Sequence, residues 1–425
     1  MDPPISLKRE LGLWEVTLSG VGIILGAGIY VLIGEAAGLA GNALWLSFVL
    51  AALIAVFSGL SYAELSSMFP TAGAEYDYTA RAFHPRLAFL VGVMVILSGV
   101  IGASTVALGF AGYFSAFTLL PHLPVAAGLI LLLAFLTAWG IRESTRVAIL
   151  FTLVEAGGLV GIILLGLPHL GSVDYLEMPA GLGGIFAGAA LIFFAYQGFE
   201  EMVKLSEETR EPQKTIPRGL MLALVITITL YLLVAVAAVS AVGYQRLAAS
   251  PAPFTEIARD TLGSGGSTLF TVIALFATAN TVLLMLIASS RITYGMARRG
   301  SLPLRLSLVH RTRRTPVAAI LTIAAVSLAF LFLGDIYVVA QVTNFTLYVT
   351  FLVINASVIV LRFRSPDLPR PFRIPLSPAG VPVFAVLGAL VCVFFLFQLD
   401  LFTLLVGAGL LTAALGASYL VRQLP

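Results

Sequence analysis

Charge is scarce in this sequence. Only 11% of its 425 residues are Asp, Glu, Lys or Arg, while 59% are hydrophobic and the mean hydropathy is +1.03. Soluble domains carry about a quarter charged residues, so a water-dissolved fold is excluded and lipid is the solvent. Length then counts membrane spans of roughly 20 residues each rather than soluble domains. Cysteine is almost missing: Cys392 stands alone in an apolar run, which excludes a disulfide framework or a thiolate metal cluster. The four histidines, His84, His122, His169 and His310, fall at expected span ends or loops and form no ligand cluster. No cofactor motif is present, and no cofactor or metal is expected. Alternating apolar and polar residues are absent, which argues against a membrane barrel. The polar start, Met1 to Gly12, leads into a long apolar stretch without a cleavage signature and is not expected to be a signal peptide.

What is present is a series of apolar runs. About twelve spans are expected, near 13–38, 43–68, 86–117, 124–141, 147–167, 181–203, 218–242, 267–297, 316–333, 336–361, 380–399 and 402–421. With the N-terminus inside, the alternate segments hold 22 of the 24 basic residues on the inner side, leaving Arg246 and Arg259 outside. This asymmetry sets an N-in, C-in multi-pass topology. It also explains the net charge of +3 without a nucleic-acid partner. The outer stretch 251–262, beginning Pro251-Ala252-Pro253, has a helical pattern and is expected to lie over the outer mouth. The proline-rich, basic segment 362–379 is expected to link a ten-helix core to a terminal hairpin, 380–421.

Two spans carry the wrong residues for an unbroken helix. The first contains Gly22, Gly26 and Gly28 within seven residues, and interior Gly costs roughly 1 kcal/mol against Ala. The sixth runs from Gly181, Gly183, Gly184 and Gly188 into Tyr196-Gln197-Gly198-Phe199-Glu200-Glu201, so polar groups enter within the expected lipid depth. The two spans are five apart, so they run in opposite directions. Interrupted segments at matching places of inverted halves point to a transporter site, with close helix packing through Gly as the alternative.

Four stretches in order resemble the amino acid–polyamine–organocation (APC) superfamily. They are Gly22 to Tyr30; Tyr62-Ala63-Glu64-Leu65 with Phe69 to Tyr76; Phe193 to Glu200 with Glu207-Glu208 and Pro212 to Arg218; and Arg291 to Pro303. The nearest flavour is the bacterial proton-coupled branch related to cationic amino acid transporters. The resemblance implies an all-α integral membrane protein with a LeuT-like 5+5 inverted repeat, helices 1 and 6 interrupted. The halves are then 13–167 and 181–361, after a cytoplasmic N-terminus, 1–12.

An amino acid brings two charges that need partners inside the membrane. Free amides at a half-helix N-terminus suit its carboxylate, and free carbonyls at a half-helix C-terminus suit its ammonium. The resemblance implies carboxylate contacts at Leu25, Gly26, Ala27 and Gly28. Ammonium contacts are expected near Ile23 and Ile24 and from Phe194, Ala195 and Gln197, with Tyr196 and Gly198 in the same break. No acid besides Glu155 and Glu200 is expected to face the substrate, which favours neutral amino acids. Phe194 falls at the family's outer aromatic gate; packing is the alternative. Glu200 is a second gate candidate, or a cap on the half-helix.

Glu155 lies mid-span in Phe151 to Leu159 with no Lys or Arg in that apolar length. An acid inside the membrane is a functional candidate by default. Proton-coupled relatives place Lys here, so their mechanism does not transfer directly. A carboxyl still suits proton coupling because loss of water penalises its charged form. Asn280 is the expected partner. The alternatives are a structural carboxyl and a sodium ligand. Glu64 and Glu75 are expected beside Arg81 and Arg86, and Glu207 and Glu208 beside Arg210, Lys214 and Arg218, as gate ion pairs or solvated loop charges.

The function expected is secondary active transport of amino acids by alternating access, as proton symport. A proton-independent exchanger is the alternative, and a membrane sensor or subunit the non-transport one. No intramembrane catalytic constellation is present, so no enzyme is expected. The cell (inner) membrane is the expected location. The expected partners are an amino acid, a proton and lipid; an accessory membrane peptide, and a monomer against a homodimer, stay open.

Overall fold

The computed structural model describes residues 7–115, 117–250, 252–331 and 336–420. Among them the chain is all-helical, with no strand beyond an isolated bridge between Leu11 and Thr209. The helices are α1 (Leu13–Ala40), α2 (Leu44–Met68), α3 (Ala74–Ala82), α4 (Pro85–Phe114), α5 (His122–Trp139), α6 (Ile141–Gly166), α7 (Gly181–Ile192), α8 (Pro212–Ala249), α9 (Pro253–Arg298), α10 (Val317–Phe330), α11 (Ile336–Arg364), α12 (Val383–Leu396) and α13 (Leu401–Leu420).

Nine helical stretches among the described residues are long and apolar enough to cross a membrane, ten if the α12–α13 pair counts as one span bent by 118°. The twelve expected spans also take in α10, a shorter apolar helix, and each arm of that pair. α10 leads into residues 332–335, outside the described residues, as are Pro251 of the outer stretch and Arg422 of the inner basic set.

α1 sits at the centre, packed against α6, α7, α8 and α9. It is buried on nearly all sides, which explains its lack of charge after Glu15 up to Glu35. The lipid-facing surface falls to α5, α6, α8 and α13, where Leu131, Leu153, Val225 and Leu405 are exposed. In lipid such side chains need no cover.

α9 begins with an arm, Pro253 to Leu262, that ends at a left-handed Gly263 (φ 69°). The arm is helical, as the pattern of 251–262 leads one to expect. Arg246, beyond a bend at Gly243, pairs with Glu256 at 3.0 Å and also with Asp260, and Phe254 meets the Tyr30 ring edge-on at 5.1 Å. The linker after α11 folds back onto the core through Ile374, whose amide donates to Glu64 Oε2 at 2.8 Å.

The acids of the face that carries the N-terminal segment do not pair as expected. Glu64 accepts two bonds from Arg362 (2.7 and 2.6 Å), while Arg81 and Arg86 lie over Phe69 and Tyr419. Glu208 accepts two bonds from Arg291 (3.1 and 3.0 Å) and Glu207 pairs with Arg298 (2.9 Å), rather than with Arg210, Lys214 or Arg218. Glu64, Glu75 and Glu208 are buried, so the solvated-charge alternative fails for them. Closure of long-range contacts, not chain proximity, selects the partner.

Arg291 and Glu208 are both fully buried, and removing one partner leaves the other charge stranded. Arg291→Ala is expected to cost about 3–5 kcal/mol, seen as a large drop in melting temperature in detergent. Glu207→Gln breaks a pair whose Arg298 is half exposed and is expected to cost at most about 1 kcal/mol.

Candidate functional site

The breaks in the two irregular spans meet at the centre of the molecule. α1 leaves helical geometry at Gly26 alone (φ 2°, ψ −170°), not across Gly22 to Gly28. The other two glycines serve close approach. A Cβ on Gly22 would fall on Thr152 Oγ1, and a Cβ on Gly28 would stand 2.7 Å from Ala195 Cα. α7 stops at Ile192, a tight turn runs through Phe193–Tyr196, and Gln197 is extended. Gly198 then takes a φ of 116°, which disfavours any side chain, before the tightly wound segment Phe199–Glu208. Gly198 also abuts Ile23, whose carbonyl oxygen a Cβ would approach to 2.9 Å. The breaks therefore touch at two points, Gly28 on Ala195 and Gly198 on Ile23.

Tyr231 of α8 ties them together. Its hydroxyl lies 2.6 Å from the Ile24 carbonyl oxygen and 3.0 Å from those of Leu25 and Ala195. One phenol carries one proton, so it satisfies one of three acceptors at a time. The result is a concentration of carbonyl oxygens drawn from both half-helix ends, suited to a cation. The amide of Ala27 donates to Thr281 Oγ1 at 3.0 Å, and that of Gly198 to Glu200 Oε2 at 2.8 Å. Glu200 thus closes the turn it follows, which fits the capping alternative. Tyr196 is buried edge-on to Tyr231 at 5.1 Å, and its hydroxyl has no partner.

All the expected contact residues are gathered around these breaks. Phe194 and Ala27 border a small cavity of about 20 Å³ with Leu32, Thr105, Val106, Gly109 and Thr278. Ile23, Gln197, Gly198 and Glu200 border another of about 10 Å³ with Ser98, Gly99, Glu201 and Met285.

Glu155 is fully buried on α6, behind the α1 break. Asn280 of α9 donates to its Oε2 at 3.3 Å and also reaches Thr152 Oγ1 (3.1 Å) and the Gly22 carbonyl (3.5 Å). Tyr30 of α1 donates to the Glu155 carbonyl at 3.0 Å. Among the described residues Glu155 Oε1 and Asn280 Oδ1 have no hydrogen-bond partner, and no cationic side chain pairs with the carboxyl. One amide donor is poor compensation for a buried carboxylate, so the neutral acid fits the site. The carboxyl itself bonds Asn280 of α9, and α1 is linked to it through that amide and through the Glu155 backbone carbonyl.

Tyr231 and Thr281 were not visible as site residues in the sequence. A Tyr between Leu230 and Leu232 reads as packing, and only the need of a buried hydroxyl for an acceptor hinted otherwise.

Apolar helices at membrane-crossing length, with two touching breaks at their centre, define a multi-pass all-helical membrane protein. The chain belongs to the amino acid permease family, whose model matches residues 11–413. It is 32% identical over 421 residues to the branched-chain amino acid permease BcaP of Bacillus subtilis, covering 94% of this chain and 90% of that one. It is also 32% identical to the methylthioribose transporter of the same organism, over 93% and 89% of the two chains. The vacuolar cationic amino acid transporter 4 of Arabidopsis thaliana is 32% identical over 89% of this chain and 66% of its own. The family and these relatives are transporters rather than enzymes.

Proposed function

We propose that this chain is a secondary active amino acid transporter that carries its substrate by alternating access with a proton. The observation that carries the reading is Glu155, a buried carboxyl with one unpartnered oxygen, wedged between the broken helix and α9. Its protonation state alters its bond to Asn280, the amide that also reaches Thr152 of α6 and the Gly22 carbonyl of α1, and a proton-dependent hold on the broken helix is what coupling requires.

The substrate sits between the two breaks. Its carboxylate meets the α1 backbone from Leu25 to Gly28, and its ammonium meets the carbonyls of Ile23, Ile24 and the Phe194–Gly198 turn. The side chain lies against Phe194, Val106 and Leu32. That lining holds no acid, so a neutral, apolar side chain is the one it accepts. Relatives of equal identity carry the names of different substrates, and the BcaP name agrees with an apolar one. The two halves, 13–167 and 181–361, rock as inverted repeats, with both termini on the cytoplasmic side of the cell membrane.

The test is competition for uptake into liposomes. Valine, leucine and isoleucine are expected to displace one another, and lysine and arginine to leave uptake unchanged. Uptake that lysine or arginine abolishes and leucine does not would contradict the apolar side-chain pocket.

A further inference from the structure

A second buried group of charges lies where α2, α3 and the segment Phe199–Glu208 meet. Lys204 is fully buried, with its Nζ 2.5 Å from Glu201 and 3.6 Å from Glu75. The longer distance is outside hydrogen-bond reach. Tyr62 of α2 donates to Glu75 Oε1 at 3.3 Å, while Glu75 Oε2 has no partner at all. Glu200 is buried next in the chain and its carboxylate is held by the Gly198 amide.

Among the described residues no other cation pairs with Glu75. On its own helix, Asp77 is taken by Arg299 of α9 at 2.8 Å, and the buried Tyr78 hydroxyl has no partner. α11 brings Arg364 to the Ala82 carbonyl, and α4 brings Arg86 to Tyr419. Three carboxyls therefore share Lys204. If all were ionised, two buried negative charges would stand uncompensated, and binding protons relieves that at less cost. Glu201 has the short ion pair and is 12% exposed at the edge of the cavities beside Ile23; Glu200 has its amide. Among the described residues Glu75 has neither a short ion pair nor an amide donor from another residue: its Oε1 accepts a hydrogen bond only from Tyr62 and its Oε2 has no partner.

We propose that Glu75 is a second proton-binding site, which takes up a proton when the Phe199–Glu208 segment docks on α3 and releases it when that segment moves away. Burial pushes the Glu75 carboxyl up to about 7, with Lys204 pulling the other way and Glu201 adding to the rise. Exposed to water, the same acid titrates near 4.3. The proton's contribution to the docked state is therefore full below about pH 4.3 and is lost as pH rises through about 7, so an alkaline solution on this face favours opening. The inference rests on the alternating-access reading for the motion, but not on any role of Glu155.

The test needs no substrate. Infrared spectra of the full-length protein in lipid nanodiscs are titrated, following the carbonyl stretch of protonated carboxyls. The wild type is expected to lose a protonated-carboxyl band with a midpoint near pH 7. Glu75→Gln is expected to lack that band and Glu155→Gln to keep it. Glu201→Gln removes a like charge and frees Lys204 for Glu75, so the midpoint is expected to move at least about one pH unit toward acid. That variant also decides the matter should Glu75→Gln not fold. A band that persists in Glu75→Gln, or a midpoint that Glu201→Gln leaves in place, overturns the inference. Failure of proton-driven transport alone leaves these spectra unaffected and bears only on the transport reading.

Discussion

Glu155→Gln is expected to abolish proton-driven accumulation while leaving substrate exchange across the membrane intact. Gln is close in size to a protonated Glu and keeps an oxygen for the Asn280 amide, which donates at 3.3 Å in the native protein. It cannot titrate. One pH unit of gradient is worth about 1.4 kcal/mol per proton, so a carrier coupled to one proton concentrates its substrate up to about tenfold per unit. In the variant that ratio is expected to fall to about one, while counterflow with substrate on both sides continues at near the native rate. Accumulation retained in Glu155→Gln would move the coupling site elsewhere. Loss of both activities would make Glu155 a structural carboxyl, since the neutral form the variant mimics would then fail to support the fold around α1.

Gly28→Ala is expected to weaken substrate binding roughly tenfold or more, although Ala is the better helix former by about 1 kcal/mol. The new methyl carbon would stand 2.7 Å from the Ala195 Cα, a backbone atom that moves only if the turn Phe193–Tyr196 moves. Overpacking of this kind costs about 1–3 kcal/mol, and 1.4 kcal/mol is a factor of ten in affinity. The strain falls on the contact that brings the two breaks together, so it is read as a raised KM. Gly157→Ala is the control. Nothing lies within 4 Å of that position and it faces outward on α6, so its melting temperature is expected to hold or rise slightly. If both substitutions behave alike, Gly28 is only a residue of poor helix propensity.

The sequence made the frame of the site legible for physical reasons. Long apolar runs show themselves because lipid tolerates little else, and glycine with polar residues inside such a run marks the place where backbone groups come free. Glu155 was legible because nothing cationic accompanies it, and its contact with Asn280 followed once the helices were placed. What a single chain does not display is contact across distance. Tyr231 meets carbonyls more than 200 residues earlier, at Ile24 and Leu25. Glu208 and Glu207 pass over basic neighbours to reach Arg291 and Arg298. Of the glycines around the first break, composition did not separate Gly26, which bends the chain, from Gly22 and Gly28, which let it come close. That distinction depends on which face of α1 meets α6 and the Phe193–Tyr196 turn.

The central claim is proton-coupled transport of an amino acid, and one measurement addresses it directly. The purified protein is placed in sealed liposomes with radiolabelled leucine outside, with and without an inward proton gradient. The account predicts accumulation above the outside concentration only with the gradient, rising with its size and collapsing when a proton carrier is added. Uptake that ignores the gradient but requires amino acid inside would contradict it and make the protein an exchanger.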